Sequence, residues 1–181
     1  MERQLIIAGF GGQGVLLIGQ LLAYSGMLDG KQVSWFPSYG PEMRGGAANC
    51  AVVISDREVG SPKVEEADVV IAMNRPSMEL FEKNVTPGGA LIYNSSLIDV
   101  APQRGDIERI PVPSGELAER AGNLRSANMV MLGAYAGLTG DFGVEILMQA
   151  LKEKLGPGKE RFMPANRAAI ELGIECVKAQ R

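Results

Sequence analysis

The residues best placed to do chemistry in this chain are glycines. Gly9, Gly11 and Gly14 stand at G-x-G-x-x-G spacing in Gly9-Phe10-Gly11-Gly12-Gln13-Gly14, directly after the apolar run Leu5-Ile6-Ile7-Ala8 and directly before Val15-Leu16-Leu17-Ile18. That context predicts a strand, a tight turn and a helix. Glycine removes Cβ atoms from a backbone that a ligand can then approach, and the N–H groups at the start of the helix face whatever binds there. A helix N-terminus favours an anion by about 0.3–1 kcal/mol, so the turn reads as a phosphate cradle that does little to select which phosphate. The competing reading is that these glycines only pack a first βα unit. A second candidate is Ser38-Tyr39-Gly40-Pro41-Glu42-Met43-Arg44-Gly45-Gly46. Its one arginine, Arg44, can make paired hydrogen bonds to phosphate or carboxylate, and the glycines and prolines around it favour a fixed backbone path.

What is missing narrows the chemistry further. The chain has no histidine, which removes Ser-His and Cys-His catalysis and the commonest metal ligand. Its two cysteines, Cys50 and Cys176, are far apart and without CxxC spacing, so this chain alone builds neither a zinc knuckle nor an iron-sulfur site. Both are expected to be buried and inert. A self-sufficient nicotinamide enzyme would carry Asp or Glu at the end of the second strand, where Phe36-Pro37 stands, and no tyrosine has a lysine four residues on. The remaining rivals are a non-catalytic subunit of an oxidoreductase, an independent NAD(P)-binding enzyme and a scaffold.

The elements that must position these residues follow from composition and pattern. At 181 residues and 46% hydrophobic, the chain is read as one domain, 1–181, with a full core. A net charge of −3 and a sequence pI of about 5.1 argue against nucleic acid as a partner. The uncharged stretch Ser126 to Gly140 falls short of the about 20 apolar residues a membrane span needs, and Met1-Glu2-Arg3 runs straight into a strand without a signal peptide. A cytoplasmic protein with no membrane partner is the expectation. Val33 to Phe36 is expected to run parallel to the first strand across a βαβ crossover. Strands follow at Ala47 to Ile54, Ala67 to Met73, Ala90 to Tyr93 and Ile107 to Pro111, with a turn at Pro87-Gly88-Gly89. Helices are expected at Val15–Leu28, Ser77–Asn84, Gly115–Ala121, Ala127–Leu138, Phe142–Leu155 (capped by Asp141) and Pro164–Lys178. This is an α/β, Rossmann-like fold: a mostly parallel sheet flanked by helices, with a helical C-terminal third. The carboxyl ends of the strands would gather Gly11 to Gly14, Pro37 to Gly46, Asn74-Arg75 and Asn94-Ser95-Ser96 on one rim. Helix Val15 to Leu28, or the glycine-faced helix Ala127 to Leu138, is expected to leave apolar surface for a partner, with self-association when the chain is isolated.

The glycine turn, the segment Ser38 to Gly46 and Ala67-Asp68-Val69-Val70-Ile71 together closely resemble the gamma subunit of 2-oxoacid:ferredoxin oxidoreductases of anaerobic metabolism. The likeness is clearest over the first hundred or so residues. It implies a complex that converts a 2-oxoacid and coenzyme A to acyl-CoA, carbon dioxide and reduced ferredoxin. Thiamine diphosphate, Mg2+ and iron-sulfur clusters would sit on companion alpha, beta and ferredoxin-like delta subunits. By the same resemblance this chain helps hold coenzyme A and closes the active site. Gly11, Gly12, Gln13 and Gly14 would contact the pyrophosphate, with Ser38, Tyr39, Arg44 and Gly45 completing the site. Arg44 would grip a phosphate or a partner's carboxylate, and Tyr39 and Met43 would shape the pantetheine path or the subunit interface. The form of the second motif points to 2-oxoglutarate or branched-chain acids before pyruvate.

Overall fold

Strand β1 (Glu2–Phe10) is apolar at consecutive positions because both its faces are covered. In the computed structural model, which describes residues 1–38 and 46–181, Leu5 to Ala8 are buried. Leu5 and Ile7 face one core and Ile6 the other. The same alternation holds in β4 (Ala67–Ala72) and β5 (Val85–Asn94), where Val69, Ile71 and Ile92 face one way and Val70, Leu91 and Tyr93 the other. With β2 (Gln32–Ser38), β3 (Ala47–Ser55) and β6 (Glu108–Val112) these strands form one sheet in the order β2-β3-β1-β4-β5-β6.

The β1–β4, β4–β5 and β5–β6 pairs are parallel, whereas β3 is antiparallel to both β1 and β2. β2 therefore runs parallel to β1, as expected, but is not its neighbour. The reason is connection length: residues 39–46 suffice to return the chain as an adjacent antiparallel strand, and a parallel return would need a crossover of a dozen or more. Pro87-Gly88-Gly89 is not a turn. It lies inside β5 at a shift of register against β4 between Ala67 and Val69. There the strand absorbs an irregularity through Gly88, whose φ is 78°, and whose N–H bonds the Asp106 carbonyl at 2.8 Å.

The core opposite α2 (Arg75–Phe81) takes side chains from α1 (Val15–Leu28), α3 (Ser114–Arg120), α4 (Ala127–Thr139), α5 (Val144–Leu155) and α6 (Met163–Lys178). Met78 of α2 packs into the other. α2 starts earlier than expected because Asn74 accepts the Ser77 N–H at 2.9 Å as its N-cap, and Pro76 is tolerated in a first turn. α1 and α4 bury most of their apolar side chains against their neighbours, while Leu16, Leu17 and Tyr24 of α1 and Leu138 of α4 are partly buried and Met27 and Leu28 at the end of α1 are exposed. Cys50 is buried as expected, while Cys176 is only half-buried.

Two devices hold the helical third together and fix it to the sheet. α4 and α6 approach backbone to backbone: a Cβ on Gly133 would lie 2.0 Å from the Ile170 carbonyl oxygen, and one on Gly173 2.0 Å from that of Val130. Asp141, expected to cap α5, is used elsewhere, and Gly143 occupies the cap position. The Asp141 carboxylate accepts Arg3 Nε and Nη2 at 3.0 and 3.1 Å and the Tyr135 hydroxyl at 2.6 Å. Arg3 is held more basic than usual by this carboxylate, and burial pushes the Tyr135 hydroxyl upward.

Candidate functional site

The rim at the carboxyl ends of β1, β2, β4 and β5 is where the expected site residues meet. Because β3 is antiparallel, its start at Ala47 lies on that rim too, opposite Phe10. The Gly11 N–H donates to the Gly46 carbonyl at 3.1 Å, which ties the end of the second motif to the glycine turn. Gly12 and Gly14 have φ of 93° and 75°, the left-handed region that favours glycine. Gly14 is the N-cap of α1 without a side chain to cap it. Gly9 serves packing, since a Cβ there would come within 2.8 Å of Val15, Gln13 and Met73. Among the described residues a Cβ on Gly12 would meet nothing within 4 Å, whereas Gly9 is closed in on three sides.

Among the described residues the N–H groups of Gly12, Gly14, Val15, Leu16 and Leu17 have no acceptor, while Ile18 N–H already bonds the Gly14 carbonyl at 3.1 Å. These are the free donors of a helix start. No acidic residue stands in the first turn of α1 or α4, in contrast to Glu116 in α3 and Glu145 in α5, so the positive ends of α1 and α4 are not offset. Asn128, in the first turn of α4, lies directly against Gly14: a Cβ on the glycine would be 2.2 Å from Asn128 Nδ2. Sequence reasoning passed over this residue. Its signal was a single amide at the start of a helix otherwise composed of apolar and small residues.

Gln13 is placed at the turn, but its side chain is turned inward. Oε1 accepts the Phe10 N–H at 2.7 Å and Asn74 Nδ2 at 3.0 Å, and Nε2 donates to the Met73 carbonyl at 3.4 Å. Asn94 Nδ2 donates to the same carbonyl at 3.3 Å, and its Oδ1 accepts the Ser96 N–H at 3.1 Å. The amides of Gln13, Asn74 and Asn94 therefore lace together the ends of β1, β4 and β5 and hold the turn in shape. Arg75 stands on the rim in exposed pairs with Glu79 and Asp99. Ser38 ends β2, exposed and opposite Asn49. Tyr39, Met43, Arg44 and Gly45 lie outside the described residues.

The insertion of β3 bears on cofactor choice. In the dinucleotide-binding arrangement an acid at the end of β2 reaches the ribose because β2 adjoins β1. Here β3 separates the two, and β2 ends in Phe36-Pro37-Ser38, with Phe36 54% exposed. A concavity of about 360 Å³ between Arg3, Asp68, Gly88 and Arg181 lies at the opposite edge of the sheet, and one of about 180 Å³ is lined by Phe36, Ser38 and Asn49; neither is lined by the glycine turn. Among the described residues no three His, Cys, Asp or Glu side chains come together as a metal site, so no step is assigned to a metal on this chain. Among the described residues no helix is long and apolar enough to cross a membrane.

Comparison with known proteins agrees with this architecture. The pattern of the pyruvate ferredoxin/flavodoxin oxidoreductase family matches residues 4–176. The chain is 42% identical over 179 residues to the ketoisovalerate oxidoreductase subunit VorA of Methanothermobacter thermautotrophicus, a match over 98% of this chain and 37% of that longer protein. It is 36% identical over 184 residues to the 2-oxoglutarate synthase subunit KorC of the same organism, covering 98% of this chain and 96% of that one. The crystal structure of a keto/oxoacid ferredoxin oxidoreductase gamma subunit from Geobacter sulfurreducens superposes with a TM-score of 0.84 at 31% identity, over 98% of this chain and 99% of that one. A 2-oxoglutarate:ferredoxin oxidoreductase from Magnetococcus marinus, solved with 2-oxoglutarate, coenzyme A and succinyl-CoA bound, superposes with a TM-score of 0.88 at 27% identity, over 98% of this chain and 31% of its own. With its glycine turn, its β3 insertion and its helical third all inside the matched span, the chain belongs to the pyruvate ferredoxin/flavodoxin oxidoreductase family and has the fold of a gamma subunit.

Proposed function

We propose that this chain serves, as one domain, as the gamma subunit of a cytoplasmic 2-oxoacid:ferredoxin oxidoreductase, where it holds the phosphates of coenzyme A and closes the active site. The observation that carries the reading is the open glycine turn. It presents the N–H groups of Gly12, Gly14 and Val15, which have no acceptor among the described residues, at a helix start with no acid in its first turn, in a chain that superposes along 98% of its length on an oxidoreductase solved with coenzyme A bound. Gly11, Gly12, Gln13 and Gly14 form the pyrophosphate side of the site. Ser38, Tyr39, Arg44 and Gly45 supply the other, Arg44 through a guanidinium suited to a second phosphate or to a partner's carboxylate.

The reaction is the oxidative decarboxylation of a 2-oxoacid to its acyl-CoA with ferredoxin as electron acceptor. Thiamine diphosphate, Mg2+ and the iron-sulfur clusters belong to the alpha, beta and ferredoxin-like delta partners: two separated cysteines give no ligand set for a cluster, and among the described residues no three His, Cys, Asp or Glu side chains gather around a cation. The exposed apolar side chains of Phe10, Leu97 and Leu124 around the rim suit burial against such a partner. The similarity to ketoisovalerate and 2-oxoglutarate subunits favours a branched-chain 2-oxoacid or 2-oxoglutarate as substrate.

The purified chain is expected to show no turnover with any 2-oxoacid, coenzyme A and ferredoxin, and to take part in turnover only with its partner subunits. Activity of the chain alone would overturn the proposal.

A further inference from the structure

The glycine turn has a second wall, built by a helix far away in sequence. Asn128 is 7% exposed, and its Oδ1 accepts the Met129 N–H at 3.0 Å. The opposite end of the carboxamide is therefore the one turned to Gly14, where a Cβ would lie 2.2 Å from Nδ2 and 2.8 Å from Cγ. Nδ2 has no acceptor among the described residues. It is not one of the sealed side-chain atoms left without a partner among the described residues, which are Ser25 Oγ, Trp35 Nε1 and Ser114 Oγ. Meanwhile the starts of both α1 and α4 lack an acid in the first turn, and both adjoin this spot.

The geometry points to a single anion site shared by α1 and α4, in which the Gly12, Gly14 and Val15 N–H groups hold one side of a phosphate ester and Asn128 Nδ2 the other. It rests on the coenzyme A reading and adds to it a specific ligand-contacting residue from the helical third. It also accounts for glycine at position 14 on grounds beyond its φ of 75°: any side chain there would fill the space that Asn128 occupies. The ligand class is a phosphate ester or diphosphate, bound as an anion by uncharged donors alone on this wall.

The test is a titration of the full chain in its assembled complex, with coenzyme A, inorganic pyrophosphate and pantetheine as probes, for the wild type, Asn128→Asp and Asn128→Ala. Thermal unfolding of each variant checks the fold. Asn128→Asp keeps the shape and replaces the donor with a negative oxygen. It is expected to weaken coenzyme A and pyrophosphate about ten- to hundredfold, and Asn128→Ala by about tenfold, the range for losing a hydrogen bond to a charged group. Pantetheine, which has no phosphate, is expected to bind all three alike. Should the aspartate variant fail to fold, the alanine variant carries the comparison. If both variants fold and bind coenzyme A as the wild type does while Gly12→Val weakens it, Asn128 is not in the site and the coenzyme A reading survives. If Gly12→Val is also without effect, both fall.

Discussion

Replacing Gly133 by alanine should destabilise this protein, although glycine to alanine within a helix ordinarily stabilises by about 0.5–1 kcal/mol. The difference lies in what the new methyl group meets. It would stand 2.0 Å from the Ile170 carbonyl oxygen and 2.7 Å from the carbonyl carbon, both backbone atoms of α6 that no rotamer change can move. Relief requires α4 and α6 to separate by more than an ångström along a seam that runs from Gly133 to Gly137 and includes Gly173. Overpacking of this kind costs about 3 kcal/mol, and offsetting the helix gain of about 1 leaves a net loss of about 2 kcal/mol. For a chain of this size that is a fall in Tm of about 4–8 °C by calorimetry. Gly60→Ala is the matched control, because nothing lies within 4 Å of its Cβ; it should leave stability unchanged or raise it by up to about 1 kcal/mol. Gly173→Ala should cost about as much as Gly133→Ala, and the double variant less than the sum, since one separation of the helices relieves both contacts. A Gly133→Ala protein as stable as the wild type would refute the reasoning.

Arg3→Met leaves Asp141 with Tyr135 as its remaining side-chain partner and should lower unfolding free energy by about 1.5–3 kcal/mol in denaturant titration, with an unchanged m-value. Burial pushes the Cys50 thiol from 9.0 up to about 12, so folding disfavours the thiolate. Its contribution to stability is complete below pH 9 and is lost as pH rises toward 12, a loss absent in Cys50→Ala when the two proteins are compared by thermal unfolding. At pH 8 iodoacetamide should accordingly add one carbamidomethyl group to the native chain, at half-buried Cys176, and two to the denatured chain, as read by mass spectrometry.

The parts of the fold that local pattern determines are legible from the sequence. The run Leu5 to Ala8 and the glycines after it specify a buried strand and a tight turn by their own side chains and backbone freedom. The order of strands is not local. That β3 slips between β1 and β2 depends on a short return of the chain and on pairing between residues far apart in sequence, such as Phe10 with Ala47 and Arg3 with Ile54. Capping shows the same limit. Asp141 has the chemistry of an N-cap and stands near a helix start, but a bidentate arginine from β1 and a buried tyrosine compete for it and win. Pro87-Gly88-Gly89 has turn composition, yet it forms an irregularity inside β5, between Val85 paired with Ala67 and Ala90 paired with Val69 and Glu108. At the candidate site the donors of the turn could be read from glycine spacing. The inward fold of Gln13 and the approach of Asn128 could not, because each depends on which polar atoms three-dimensional packing brings close.

The most direct measurement of the central claim is the KM for coenzyme A of the Gly12→Val complex, beside the rate of 2-oxoacid decarboxylation measured without coenzyme A. Among the described residues no atom lies within 4 Å of the valine Cβ, so the side chain projects toward the space assigned to the ligand, at the cost of a strained φ of 93° that thermal unfolding will register. The account predicts a complex that assembles, a KM for coenzyme A raised by about tenfold or more, and decarboxylation at the wild-type rate. An intact complex with an unchanged KM for coenzyme A would contradict it and leave the glycine turn as a packing device.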